Sequence, residues 1–336
     1  MNNEVIKRLK NAGLLSDQDH DLGFISTGSY ALNRIISGDY MKGIPVGMIT
    51  QFHGEASTAK TVFATHILKE AQSKGYYTML VDSENAYNPT FARQLGVDPT
   101  RLIYSTPETL EESFQVMEDT ILSIREADPS TPIVIAYDSI AVSPSKAEYE
   151  AESYDGNNMQ GAIRAKSTGA CLRKINPLLR KHKVALIIIN QIRNKVGVLY
   201  GSPETMAAGG KSLDYYLGVN LKCISNKTAD LVRDENKQVI GITGTVRNTK
   251  NKVSIPFREC EFELMYDEGL NSCAGLLKQL VLDNTVDQNG AWYSWDGVKF
   301  QRKEFDKSFS SGDKFAGLRE TVGVQTQPAA TKQLNA

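Results

Sequence analysis

A chain of 336 residues, 41% hydrophobic and 23% charged, is long enough for one large core and a small additional unit. Its 38 basic and 39 acidic residues give a formal net charge of -1, so nucleic-acid binding has to come from a local patch and not from the overall field. Cys171, Cys223, Cys260 and Cys273 are dispersed and form no C-x-x-C pair, no apolar run approaches the ~18 residues of a membrane span, and "MNNEVIKRLK" has no apolar signal segment; these features argue against structural zinc and a membrane, and for a cytoplasmic protein with reduced thiols.

Residues 2–15 read as a short amphipathic helix with Val5, Ile6, Leu9 and Leu14 on one side, followed by the polar linker "LSDQDHD". From Gly23 onward, strand-like runs alternate with helical patterns. The runs are "GMITQF" (47–52), "YYTMLV" (76–81), "PIVIAY" (132–137) and "VALIII" (184–189). They are almost continuously apolar, as strands buried on both faces of a parallel sheet are. Helical segments over about 60–74, 108–126 and 160–182 lie between them, which makes an α/β core. Further strands are expected within 219–266, then a small helical and aromatic unit over 270–305, then a small, polar, mobile tail from about Ser310.

The residues at the end of each apolar run carry the chemistry. The first run leads into "HGEASTAKTV" (53–62), which matches the phosphate-loop pattern G-x-x-x-x-G-K-[ST] at Gly54, Lys60 and Thr61 but has Ala59 in place of the second glycine. The second run ends in Asp82 and Glu84, the third in Asp138 and Ser139, the fourth in Asn190 and Gln191. In an open parallel sheet ligands bind beyond the carboxyl ends of the strands, so these four ends converge on one crevice. The nucleotide-binding set is Gly54, Glu55, Ala56, Ser57, Thr58, Ala59, Lys60, Thr61 and Val62, with Asp138. Backbone N–H groups of the loop suit the β-phosphate, and Lys60 suits the β- and γ-phosphates. Thr61 is a direct ligand for Mg²⁺, and Asp138 holds that ion through its water shell. Glu84 is the candidate to orient the attacking water, and Gln191 to sense the γ-phosphate. Asp82 reads as structural. His53, His66 and His182 read as packing or surface residues.

Alanine is the smallest replacement for glycine. At negative φ it costs little; at positive φ it costs about 1 kcal/mol or more. The expectation from the sequence is the tolerated case, with a working loop and an Ala59→Gly change of small effect.

Several longer stretches resemble one family. "ISTGS" (25–29), "DSENAYNPTFARQLGVD" (82–98), "INQIRNKVGVLYGSPET" (189–205), "KNKVSIPF" (250–257) and "NGAWYSW" (289–295) are similar to the RecA-type recombinases, in the manner of a phage-encoded or otherwise divergent member. The third stretch is very specific. The resemblance implies a P-loop NTPase fold of RecA type: a mostly parallel twisted sheet flanked by helices, a short N-terminal helix and a small C-terminal α+β domain. The corresponding division is 1–23 for the oligomerising helix and linker, 24–268 for the ATPase and DNA-binding core, 269–309 for the C-terminal domain and 310–336 for a flexible tail.

The resemblance also implies an ATP- and Mg²⁺-dependent protein that forms helical homo-oligomeric filaments on single-stranded DNA and pairs it with homologous double-stranded DNA. It makes Glu84 the catalytic base and Gln191 the coupler to DNA. It makes Lys250 and Lys252 cations that reach the ATP of the neighbouring subunit, Asn88 and Phe91 adenine-side contacts, and Tyr266 an aromatic contributed by the neighbour. Two segments read as DNA-facing loops: 151–164, with Met159 and Arg164, and 193–211, with Arg193, Lys195, Val196, Tyr200, Gly209, Gly210 and Lys211. Basic side chains with apolar wedges suit a strand gripped by its backbone and locally unstacked, and the resemblance gives Val196 the inserting role. The chain departs from the family in its short region before "ISTGS", its shortened C-terminal part and a tail that is not acidic. The competing readings are a ring-forming, helicase-like or regulatory ATPase of the same fold, and a DNA-coating protein that binds ATP without hydrolysing it.

Overall fold

The computed structural model describes residues 23–151, 158–194, 204–206, 210–226, 229–310 and 313–324, together with Glu4, Val5, Lys7 and Arg8, which are helical. The rest of the expected N-terminal helix and its linker lie outside the described residues.

The chain opens with a two-stranded ribbon, β1 (Phe24–Ile25) on β2 (Ile44–Pro45), around helix α1 (Tyr30–Ser37). Ser29 caps α1 by accepting the Leu32 N–H, and Gly38 ends it in the left-handed conformation at φ 88°. The nucleotide half then runs β3 (Ile49–Gly54), α2 (Lys60–Ser73), β4 (Tyr77–Asp82), α3 (Pro89–Gln94), β5 (Leu102–Ser105), α4 (Leu110–Ala127), β6 (Ile133–Asp138), the single-turn α5 (Lys146–Tyr149), α6 (Asn158–Lys181) and β7 (Val184–Asn194). All four apolar runs are strands, and the three long helical segments are α2, α4 and α6. Neither α3 nor β5 is among the elements expected from the sequence; β5 is a short edge strand with two of its four residues exposed, so it lacks the buried apolar run that marks the others.

Beyond β7 come β8 (Glu204–Met206), α7 (Gly210–Tyr216), β9 (Leu217–Ile224), β10 (Leu231–Arg233), β11 (Val239–Asn251), β12 (Glu259–Met265) and β13 (Gly269–Leu270). The main sheet runs β13-β12-β11-β9-β3-β7-β6-β4-β5. From β9 to β5 the pairs are parallel, and from β9 to β13 they are antiparallel. One face packs Phe52, Ile187, Leu221 and Val246 against Phe63 and Ile67 of α2. The other packs Ile49, Ile135 and Leu186 against Phe114 of α4, Leu172 of α6 and Leu213 of α7. Burial on both faces is why the central strands are apolar throughout.

The C-terminal unit contains α8 (Leu276–Leu282), the meander β14 (Asp287–Asn289), β15 (Trp292–Trp295) and β16 (Val298–Gln301), then α9 (Arg302–Ser308) and α10 (Ala316–Thr321). Arg34 of α1 ties this unit to the core with a bidentate pair to Asp283 at 2.6 and 2.8 Å, and the Tyr40 hydroxyl donates to the same carboxylate. The expectation of a mobile tail from Ser310 is corrected for residues 313–324. Phe315 and Leu318 are buried against Phe300, Phe305 and Phe309, and the buried Arg319 guanidinium donates to the Phe309 carbonyl. A short polar-looking segment is ordered here because its few apolar residues complete an aromatic core. Residues 325–336 lie outside the described residues.

Candidate nucleotide site

Register places the site. In the parallel pair β3–β7, Gly54 stands opposite Gln191; in β4–β6, Asp82 stands opposite Asp138. The four strand ends therefore finish at one level, and the residues just beyond them share a cleft of about 390 Å³. Its walls carry the loop residues 56–62, Glu84, Asp138, Gln191 and Tyr266. Ile189, Ile242 and Leu264 also line it and are not among the residues expected from the sequence; apolar residues on strands carry no signal that separates cleft wall from core.

The loop is a built concavity. A Cβ on Gly54 would stand 2.3 Å from the Cys223 carbonyl oxygen and 3.0 Å from the Thr58 hydroxyl, so only glycine fits where the loop leaves the sheet. Ser57 and Ala59 both have positive φ, at 64° and 63°. Alternation of left-handed residues along a turn points successive N–H groups inward and forms an anion nest. Thr58 closes the turn by donating to the Glu55 carbonyl at 2.9 Å. Lys60, the first residue of α2, is buried and donates to the Glu55 carbonyl and, at 3.3 Å, to the Thr58 hydroxyl.

The positive φ of Ala59 corrects the expectation that alanine is neutral there. The left-handed conformation costs an L-residue about 1–2 kcal/mol, while its half-buried methyl, packed on the core, returns about half of the ~0.8 kcal/mol of a fully buried methylene. Ala59→Gly is therefore expected to raise the unfolding free energy by about 1 kcal/mol, measured by denaturant titration, with ATP turnover within a few-fold of the parent. An unchanged or lowered stability would mean that the methyl contact outweighs the backbone strain.

Beside the loop, the Thr61 hydroxyl donates to Asp138 Oδ2 at 2.7 Å. Burial, with Glu84 and Asp82 nearby, lifts the Asp138 carboxyl to about 6 despite the Thr61 hydrogen bond and Lys60. A buried carboxylate among carboxylates, paired with a hydroxyl oxygen, is an oxygen donor set suited to Mg²⁺. Among the described residues no group of three or more His, Cys, Asp or Glu side chains could hold a metal alone.

Glu84 Oε1 accepts from the Ser139 hydroxyl at 2.7 Å and from the Gln191 side-chain amide at 3.2 Å. Asp82 is structural, as expected: it accepts the Glu84 N–H at 3.1 Å, the Tyr87 N–H at 2.9 Å and the Tyr104 hydroxyl at 3.0 Å. The last contact, after burial, pushes the Tyr104 phenol up to about 12. Asn88 and Phe91 line a second cavity of about 80 Å³ that shares Thr61 and Asp138 with the main cleft. The Asn88 side chain caps α3 by accepting the Thr90 and Phe91 N–H groups. Tyr266, expected from the resemblance as an aromatic contributed by the neighbour, lines the cleft of its own chain. His66 is a packing residue: its Nε2 accepts the Leu270 N–H at 3.0 Å, and burial holds its imidazole down at about 4.

Lys250 and Lys252 stand elsewhere. A bulge between Asn248 and Lys250 shifts the register of β11 on β9, so that Lys250 pairs with Asn220. Asn248 points to α1, where it donates to the Ile35 carbonyl. Lys250 instead donates to the Asp214 carbonyl, and Lys252 to the Tyr215 carbonyl at 3.3 Å, both at the end of α7 on the opposite face of the sheet from α2. Asn220 is level with Gln51, three residues short of Gly54, or roughly 10 Å along the strand. These lysines therefore do not face the P-loop of their own chain.

Of the DNA-facing candidates, Arg164 is committed to structure: it donates to the carbonyls of Ile140 and Ala141 at 2.9 and 2.6 Å and so fastens α6 to the segment after β6. Met159 lies in α6, Arg193 in β7, and Gly210 and Lys211 in α7. Lys195, Val196, Tyr200 and Gly209 lie outside the described residues.

The family described as the RecA N-terminal domain matches residues 7–271. The chain is 35% identical over 308 residues to Protein RecA of Chlorobaculum tepidum, covering 91% of this chain and 84% of that one. It is 34% identical over 297 residues to Protein RecA of Clostridium acetobutylicum, with 88% and 80% covered. It is 33% identical over 322 residues to Protein RecA of Lactobacillus delbrueckii subsp. bulgaricus, with 94% and 83% covered.

Proposed function

The chain belongs to the RecA family, and on that premise we propose how its residues divide the work of an ATP-dependent recombinase. The protein is a DNA-dependent ATPase that forms filaments on single-stranded DNA and carries out homologous pairing and strand exchange. A ring-forming ATPase of the same fold is not favoured. The observation that carries the division of labour is the strand register, which gathers Lys60, Thr61, Asp138, Glu84 and Gln191 around one cleft.

ATP lies with its phosphates in the nest of residues 54–60. Lys60 exchanges its present carbonyl and hydroxyl acceptors for β- and γ-phosphate oxygens, which are better partners for a buried ammonium. Thr61 would hold Mg²⁺ directly and Asp138 through its water shell, and the ion would offset the negative charge of the phosphate oxygens. Glu84 orients the attacking water and accepts its proton. Gln191, released from Glu84, donates to the γ-phosphate. Because Gln191 lies on β7, which runs directly into the segment 195–203, its position couples nucleotide to DNA. Asn88, Phe91 and Tyr266 border the base. DNA contacts come from Arg193, Lys195, Val196, Tyr200, Gly209, Gly210 and Lys211, with Met159 from the other segment. Among the described residues no helix is long and apolar enough to cross a membrane, and a cytoplasmic location suits the DNA substrate.

The decisive measurement is phosphate release from ATP with and without single-stranded DNA, joined to electron microscopy with an ATP analogue. DNA-stimulated release and helical filaments are expected. Closed rings would favour the helicase-like reading, and binding of ATP without release would favour a coating protein.

A further inference from the structure

The carboxylate assigned to water activation is held by a residue that has no part in nucleotide binding. Glu84 leaves the end of β4 on a short exposed loop, and a carboxylate on such a loop has many rotamers, most of them useless for aligning a water. Two donors restrain it, and both use the same oxygen, Oε1. They differ in kind. Gln191 is half-exposed in the cleft, at the longer distance of 3.2 Å, and has a second task toward the γ-phosphate. Ser139 is fully buried, at 2.7 Å, and does not line the cleft.

Ser139 belongs to a larger clasp between the two strand ends. The Ser83 N–H donates to the Asp138 carbonyl at 2.8 Å. The buried Tyr137 hydroxyl donates to Ser143 at 2.6 Å, and the Ser143 hydroxyl donates to the Ser83 hydroxyl at 2.8 Å. Asp82 receives the Glu84 N–H. The backbone just before Glu84 is thus fixed through Ser83 to β6 and the segment after it, the Glu84 N–H is held by Asp82 of β4, and Ser139 fixes the side chain to the end of β6.

Resting on the reading of Glu84 as the water-orienting base, we infer that Ser139 is a positioning residue for hydrolysis: its hydroxyl donates to Glu84 Oε1 and keeps the carboxylate aimed into the cleft when Gln191 turns to the γ-phosphate. A donor to a charged carboxylate is worth enough to change turnover about 10- to 100-fold when it is lost. The loss should fall on turnover and not on nucleotide affinity, because Ser139 lies outside the cleft wall.

The test uses the full chain with single-stranded DNA and ATP, and compares Ser139→Ala, Ser139→Thr, Glu84→Gln and the Ser139→Ala, Glu84→Gln double variant. Affinity for a fluorescent ATP analogue and thermal unfolding are monitored in parallel. Ser139→Ala is expected to lower kcat about 10- to 100-fold with KM and analogue affinity within about two-fold. Ser139→Thr, which keeps the hydroxyl, should recover most of the turnover, and the double variant should be no slower than Glu84→Gln alone. If Ser139→Ala keeps parental kcat while Glu84→Gln is inactive, or if it loses analogue affinity in step with kcat, Ser139 does not position Glu84. An additive loss in the double variant overturns the inference in the same way. If Glu84→Gln itself turns over normally, the reading of Glu84 fails and the inference falls with it.

Discussion

Replacing Glu84 by glutamine is expected to reduce DNA-stimulated ATP turnover by about 100-fold or more while nucleotide and single-stranded DNA binding persist. The substitution keeps the shape of the side chain and removes its capacity to take a proton. The Ser139 hydroxyl can still donate to the amide oxygen, so the side chain stays in place. On the proposed division of labour, binding depends on other groups: Lys60 and the loop N–H groups for the phosphates, Thr61 with Asp138 for the ion. Steady-state phosphate release, paired with equilibrium binding of an ATP analogue, separates the two effects. Comparable turnover in variant and parent would take the catalytic role away from Glu84 and leave Asp138 as the remaining carboxylate of the cleft wall.

The second large effect concerns Lys250 and Lys252. The double change to alanine is expected to abolish most DNA-stimulated hydrolysis, although neither lysine faces the cleft of its own chain. Lys250 is held below the ordinary lysine range, first by burial and then by its neighbour Lys252, and an added anion would favour its charged form against both. The triphosphate of an adjacent subunit is such an anion. One P-loop lysine and one divalent ion offset its charge only in part, and two further cations would stabilise the transition state and tie assembly to the bound nucleotide. Mixing decides the matter. A Lys250→Ala, Lys252→Ala variant and a Lys60→Ala variant, each inactive alone, should recover part of the activity when combined. Some interfaces then pair an intact P-loop with intact lysines. Normal hydrolysis by the double variant alone on DNA would end the trans assignment.

The placement of Lys250 shows where reading by residue type stops. Its chemical suitability is visible in "KNKVSIPF", but alternation along β11 predicts that Lys250 shares a face with Asn248. One bulge reverses that and turns Lys250 toward α7. A bulge is set by how two strands fit through space, and no local pattern announces it. Tyr266 is a similar case: that this aromatic lines the cleft of its own chain depends on the path of β12 beside the P-loop.

Residues 313–324 teach the opposite lesson. Phe315, Leu318 and Val322 recur at three- and four-residue steps, a helical signal that is present but outweighed by the small polar residues around it. With Val324, these anchors suffice because Leu276, Leu280, Val286, Phe300, Phe305 and Phe309 supply most of the core from elsewhere in the chain.

The α/β core, the four strand ends and the residue types that meet there are legible in the order of the amino acids. A run of apolar residues dictates burial on both faces, and burial on both faces dictates a parallel sheet whose carboxyl ends converge. The sign of φ at Ala59, the face on which Lys250 lies and the hold of Ser139 on Glu84 emerge only when the chain is folded. The last two depend on a partner far along the chain: the β9 strand that sets the bulge, and the β6 end that delivers a hydroxyl 55 residues from the carboxylate it meets. Side-chain type is a local property, whereas backbone sign, strand face and hydrogen-bond partner are settled by packing between segments that no single stretch of sequence contains.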